Sequence, residues 1–188
     1  MIRPYHRQKL INAAVFFAGN TRYCGKVKLI KLLYLLDFEH FRQTGRSVTG
    51  MEYVALKMGP VPMDLFEEWE DLLPDFAKAV KIEPTKVYDH VREEVKPKVE
   101  FDATPFTRRE LQLMEQLALR FRDDYCRTLI NFTHLELGPW AKIWDRGTGH
   151  LARIPYTLAV SDEDPNREAV LDSAAQFQGI AAAVGLSH

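Results

Sequence analysis

The sequence predicts a mainly α domain (α+β): a compact helical body around one buried helix, about residues 26–43, with a small antiparallel sheet or hairpin. Three features of the chain lead there. Lys26 to Arg42 (KVKLIKLLYLLDFEHFR) is apolar around most of its circumference, as a helix surrounded by other elements is. Further stretches on both sides of it repeat apolar residues at helical spacing. One short alternating stretch, Tyr53 to Lys57, runs into Gly59-Pro60-Val61-Pro62. At 188 residues the chain suits a single domain spanning 1–188, and 46% apolar with 27% charged residues is ordinary for a globular protein.

Residues 4–18 form the first helix, with Leu10, Ile11, Ala14, Val15 and Ala18 on one face. Pro4 suits its first turn and Gly19-Asn20 stops it. Residues 22–25 connect it to the central helix. There Lys28, Lys31, Leu35, Glu39 and Arg42 share a stripe that reads as the wet side. Opposite lie Leu29, Ile30, Leu33, Leu36 and Phe41, together with Asp37 and His40. The helix ends near Thr44-Gly45, where glycine can take a left-handed cap. Tyr53–Lys57 reads as a strand, and Gly59-Pro60-Val61-Pro62 is expected to break it, with Pro62 as the first residue of the next helix.

That helix, residues 63–73, places Leu65, Phe66, Trp69, Leu72 and Leu73 on one face and stops before Pro74. PDFAKAVKI is ambiguous and could add a helical turn, and KVYDHVREEVKPKVEF reads as irregular or hairpin-like. Thr107 and Glu110 fit a capping box, with Phe106 and Leu111 at the flanking apolar positions. The helix they open has Leu111, Met114, Leu117, Ala118 and Phe121 on its dry face. Asp123-Asp124 is expected to cap a short helix, YCRTLINFTHL. Pro139 to Trp144 adds one or two turns ending at Gly147, and GTGHLARIPY reads as loop. A last helix starts at Asp162 or Asp164 with Pro165 and reaches about Val184. No repeat, low-complexity tract or linker divides the chain.

A net charge of -1, from 25 basic and 26 acidic side chains, leaves no footprint for a nonspecific nucleic-acid binder. Cys24 and Cys126 are far apart without metal-ligand spacing and read as free thiols in a reducing compartment. No secretory leader is visible, and no apolar run approaches the roughly 18 residues a membrane span requires. A soluble, cytoplasmic protein is expected.

Asp37 and His40 are the first candidates for chemistry. A carboxylate three residues before an imidazole, on one helical face, can orient it and make it a base. The plainer reading is a buried pair that fixes how neighbouring segments dock, for instance by accepting from the backbone of the Gly59–Pro62 turn. His134 and Glu136 are the natural further ligands were a metal held, but the spacing fits no zinc pattern. No metal and no cofactor is expected. Gly-x-Ser-x-Gly, a phosphate-cradling glycine loop and His-Glu-x-x-His are absent, and Ser47 and Cys24 lack a base. Trp69, Trp140 and Trp144 read as core, with partner anchoring as the alternative. Arg108 and Arg109 read as a solvated face.

Four segments recur in a known order. The first is Lys28-Leu-Ile-Lys31-Leu32-Leu33-Tyr34, followed by Asp37 and His40 and closed by Gly45. The second is Tyr53-Val-Ala-Leu-Lys-Met-Gly59-Pro60-Val61, and the third Phe106-Thr-Arg-Arg-Glu-Leu111. The fourth is Thr133-His134-Leu-Glu-Leu-Gly-Pro139-Trp140. Over about residues 9–146 the chain resembles the Panacea domain, the SocA-like antitoxin family, also met as a phage-associated protein family. The resemblance implies a mostly helical domain with a small sheet, and an antitoxin, not an enzyme. Such a protein binds and neutralises a protein toxin, usually encoded beside it, and the family pairs one domain with many unrelated toxins. A protease or chaperone is a further partner the resemblance admits; nucleic acid and membrane are not expected. Many members carry an added DNA-binding segment; no helix-turn-helix precedes the domain here, which speaks against direct autoregulation. The resemblance places no partner-binding residues; the exposed edge of the strand region and the C-terminal third are the candidate regions. The alternatives are a DNA-binding transcriptional or phage-associated regulator, using the helix at 107–121 and the hairpin before it, and, more remotely, a hydrolase built on Asp37, His40 and His134.

Overall fold

Two long helices come first, α1 (Pro4–Asn20) and α2 (Lys26–Thr44), in a computed structural model that describes residues 4–87, 90–135 and 138–183. α2 is the axis of the fold. Leu29, Leu32, Leu33 and Leu36 along it have no exposed surface, and α1 packs directly on it. Its end follows from glycine chemistry. Gly45 stands at φ +74°, and its N–H donates to the Phe41 carbonyl at 2.8 Å.

A small antiparallel sheet pairs β1 (Tyr53–Leu56) with β2 (Gly59–Pro62). This corrects the sequence reading twice: the first strand ends at Leu56, and Gly59–Pro62 is its partner, not its breaker. The register explains why two prolines are tolerated. Pro60 and Pro62 stand opposite Ala55 and Tyr53. Those two residues turn their backbone groups to the other side: Ala55 N–H donates to the Ala152 carbonyl at 2.9 Å, and Ile154 N–H donates to the Tyr53 carbonyl at 2.8 Å. The prolines therefore occupy positions where the ladder needs no N–H. The stretch read as loop thus covers the outer edge of β1, with a bridge from Val54 to Arg153. The outer edge of β1 is therefore not free.

Pro62 precedes α3 (Met63–Glu68) as its cap instead of opening it, and α3 is shorter than the expected 63–73 helix. Arg7 holds Glu68 at 2.6 and 2.5 Å and Asp75 at 2.9 and 2.8 Å, while Glu68 also accepts the Leu73 N–H at 3.3 Å. The chain turns there and restarts as α4 (Pro74–Ala79). Leu65 and Trp69 are buried; Phe66 and Leu73, expected beside them, are exposed. β3 (Val80–Val87) and β4 (His90–Pro97) form the hairpin. β4 packs on α1, and its Val95 N–H donates to the Cys24 carbonyl at 2.7 Å.

α5 (Arg108–Arg120) opens with the capping box complete: Glu110 N–H donates to Thr107 Oγ1 at 3.3 Å, and Thr107 N–H donates to Glu110 Oε2 at 2.7 Å. The other Glu110 oxygen accepts from Lys9 Nζ at 2.6 Å, a buried ion pair that ties α1 to α5. Thr107→Ala is expected to cost about 1 kcal/mol, read as a lower urea midpoint at unchanged slope.

α6 (Cys126–Thr133) is not capped by Asp123-Asp124; Tyr125 precedes it with no side-chain cap. The Asp124 carbonyl goes to Lys28 instead. α7 (Pro139–Trp144) and a 3-10 turn over Asp145–Gly147 follow. α8 (Arg167–Ala183) begins later than expected, after Asp164 accepts the Asn166 N–H at 2.9 Å; Val184 lies outside the described residues. Phe41, Val160, Val170 and Ala174 form a second small core beneath α8. The fold is mainly α with two small antiparallel sheets, as the sequence predicts. Among the described residues no helix is long and apolar enough to cross a membrane.

Candidate functional site

The stripe of α2 read as wet is dry over its first half. Lys28 and Lys31 are 0% and 1% exposed, whereas Leu35, Glu39 and Arg42 do reach the surface. A lysine stem is apolar, so the side chain can be buried wherever free carbonyls meet its ammonium. Lys28 Nζ finds three, donating to the carbonyls of Arg22 at 2.7 Å, Asp124 at 2.6 Å and Arg122 at 3.2 Å. Two of these lie just past the C-terminal end of α5, where the helix dipole favours a cation. Burial still lowers the Lys28 pKa below its ordinary value.

Asp37 is fully buried and accepts from four donors. Val48 N–H and Thr49 N–H reach Oδ1 at 2.8 and 2.7 Å; the Thr49 hydroxyl and the Tyr53 hydroxyl, the latter at 2.8 Å, reach Oδ2. Burial holds the carboxyl above the usual carboxylate range, against these donors, which favour the ionised form. His40 Nδ1 lies 2.7 Å from the Arg46 carbonyl, an acceptor only, so Nδ1 carries the proton. Burial lowers the His40 pKa, opposed by that carbonyl and by Glu110. Asp37 and His40 therefore pin residues 46–53, the chain just after α2, and not the Gly59–Pro62 segment expected.

Gly59–Pro62 is pinned by Lys31. Its Nζ donates to the Pro60 carbonyl at 2.8 Å, the group that the register turns away from β1. No carboxylate pairs with Lys31 among the described residues, and burial lowers its pKa to about 7. His134 comes to the same place from the end of α6. Its ring stacks on Trp140 at 3.7 Å and 6°, Trp140 stacks on Trp144 at 5.5 Å, and Trp140 Nε1 donates to the Leu56 carbonyl at 3.0 Å. Thr133 is buried, with its hydroxyl donating to the Ile130 carbonyl at 3.0 Å, and Pro139 starts α7. Tyr34 is buried, Leu32 and Leu33 are core, and Val61 packs within β2.

Asp37, His40 and His134 are thus each engaged with a different segment. Among the described residues no group of three or more His, Cys, Asp or Glu could hold a metal ion, and Glu136 lies outside those residues. Cys24 is buried, which pushes its thiol up to about 11; Cys126 is exposed, and both are free. One open feature adjoins the motif residues: a groove of about 170 Å³ floored by Tyr34, Leu35 and Phe38, and walled by Phe132, Leu135, Gly138 and Pro139. Leu135 is 56% exposed on its rim. The sequence reading missed Lys9 and Thr49; a lysine on the dry side of α1, next to Leu10, was the available signal for the first.

The family described as "Antitoxin SocA-like, Panacea domain" matches residues 29–141, more than half of the chain. No curated protein and no solved structure matches it.

Proposed function

The chain belongs to the SocA-like antitoxin family with the Panacea domain, and from that membership we propose that it binds one cognate protein toxin and neutralises it by direct contact. The toxin is the product of an adjacent gene, and the encounter is cytoplasmic. The antitoxin-family domain speaks for a binding role over an enzymatic one. The family match over 29–141 carries this reading. The inward polar groups of α2 support it, since they hold the segments at 46–53, 59–62 and 122–124 in place behind the surface.

The groove beside α2 is the proposed contact face. It joins motif residues Tyr34, Thr133 and Pro139 to the exposed Leu135. A stable complex buries roughly 1,600 Å² in all, of which such a groove anchors only the centre. Leu135→Glu is expected to weaken the complex at least about tenfold, near 1.4 kcal/mol, with thermal stability unchanged. The toxin co-purified with tagged protein, wild type against variant, is the measurement. Unchanged capture by Leu135→Glu moves the interface elsewhere; absence of capture by the wild type removes the toxin-binding role itself.

A further inference from the structure

We infer that Lys31 and His134 form an acid-sensitive latch, which holds the β1–β2 turn and the end of α6 against α2 and opens when the pair takes up a second proton. Gly59 shows how they meet. It stands at φ +103°, and a Cβ placed on it would lie 2.6 Å from Lys31 Nζ and 3.0 Å from His134 Nε2. The two nitrogens therefore border the same bare stretch of backbone, with no hydrogen bond between them. Each is short of other partners among the described residues: there Lys31 has the Pro60 carbonyl alone, and His134 Nε2 is buried with none.

The groups around the pair come from every element packed there. α2 brings Lys31 and, one turn on, Tyr34, whose hydroxyl is buried. β2 brings Gly59 and the Pro60 carbonyl, the turn before it brings the Met58 carbonyl beside His134, and α7 brings the Trp140 ring. No carboxylate is among them in the described residues. With both groups neutral, or with one charge between them, the site holds no like-charge pair. A second charge puts two cations beside one buried glycine with no counter-ion among the described residues, where like charges repel strongly.

Burial holds Lys31 near 7 and His134 below its ordinary 6.5, the Lys31 charge adding to the latter. In the unfolded chain Lys31 titrates at 10.5. Between 10.5 and about 7 the unfolded chain therefore holds a proton that the folded one lacks, so stability falls as the pH falls, up to tenfold in the folding constant per pH unit. Below 6.5 His134 continues the trend. The cost is met locally, by releasing the turn and the end of α6.

The Trp140 indole N–H, bonded to the Leu56 carbonyl, reports the latch directly. Its hydrogen exchange, corrected for intrinsic rate, is followed by NMR in the full chain from about pH 8 to 5, on wild type, Lys31→Met and His134→Gln. The expected result is a protection factor that drops more than about tenfold in wild type (about 1.4 kcal/mol) and clearly less in each variant, which keeps only one of the two titrating groups. His134→Gln keeps a neutral acceptor near Lys31 and so remains latched. Constant protection in folded wild type, or the same drop in either variant, overturns the inference.

Discussion

Asp37→Ala is expected to destabilise the fold by about 4 kcal/mol, close to the whole stability of a marginal domain. The substitution removes one acceptor group and strands four donors: two backbone N–H groups of Val48 and Thr49, and the hydroxyls of Thr49 and Tyr53. The backbone donors cannot turn to other partners, because the segment that carries them is buried. Asp37→Asn should cost only about 1–2 kcal/mol, since its amide oxygen keeps the two N–H groups and the hydroxyls can rotate to accept from its NH2. Burial already disfavours the charge at this position, so removing it is partly compensated. Urea unfolding of the two variants checks the order. A fully stable Asp37→Ala that has lost toxin binding would assign the carboxylate to the functional surface instead.

Gly45→Ala carries the second large effect, and it falls on the junction between the matched family region and the C-terminal third. Alanine there would be held at φ +74°, with its Cβ 2.5 Å from the Val170 carbonyl oxygen and 2.8 Å from the Ala174 N. Both contacts are to the α8 backbone, which cannot swing aside as a side chain can. Strain and overlap together are expected to weaken the docking of α8 by about 3 kcal/mol. α8 is held on that face by the Ser173 hydroxyl donating to the Thr44 carbonyl at 3.0 Å, by Arg46 over the Phe177 ring at 4.5 Å, and by the small core around Phe41. Limited proteolysis should therefore cut the variant between residues 160 and 167 and leave the wild type whole.

These two sites show what a sequence can and cannot disclose. The cap at Gly45 and the capping box at Thr107–Glu110 are legible because their partners lie within four residues. Lys28 and Lys31 are not, because a lysine on a helical stripe signals water. Apart from that of Arg22, the carbonyls that bury them belong to residues 60, 122 and 124, far off in the sequence. Gly59–Pro62 reads as a breaker because proline lacks an N–H; only the phase of its pairing with β1 shows that none is required. For Asp37 a docking role is readable from a carboxylate on a dry face. The segment it docks depends on the path of the chain through Gly45 and Gly50, both at positive φ, and periodicity carries no trace of that path.

The most direct measurement sets growth and complex formation side by side. The neighbouring gene is expressed alone and then with this chain, and the tagged chain is recovered from the second culture. The expected result is arrest by the neighbour alone, restored growth on co-expression, and the two proteins recovered in one complex. A neighbour that is harmless alone, or growth restored with no complex, contradicts neutralisation by direct contact.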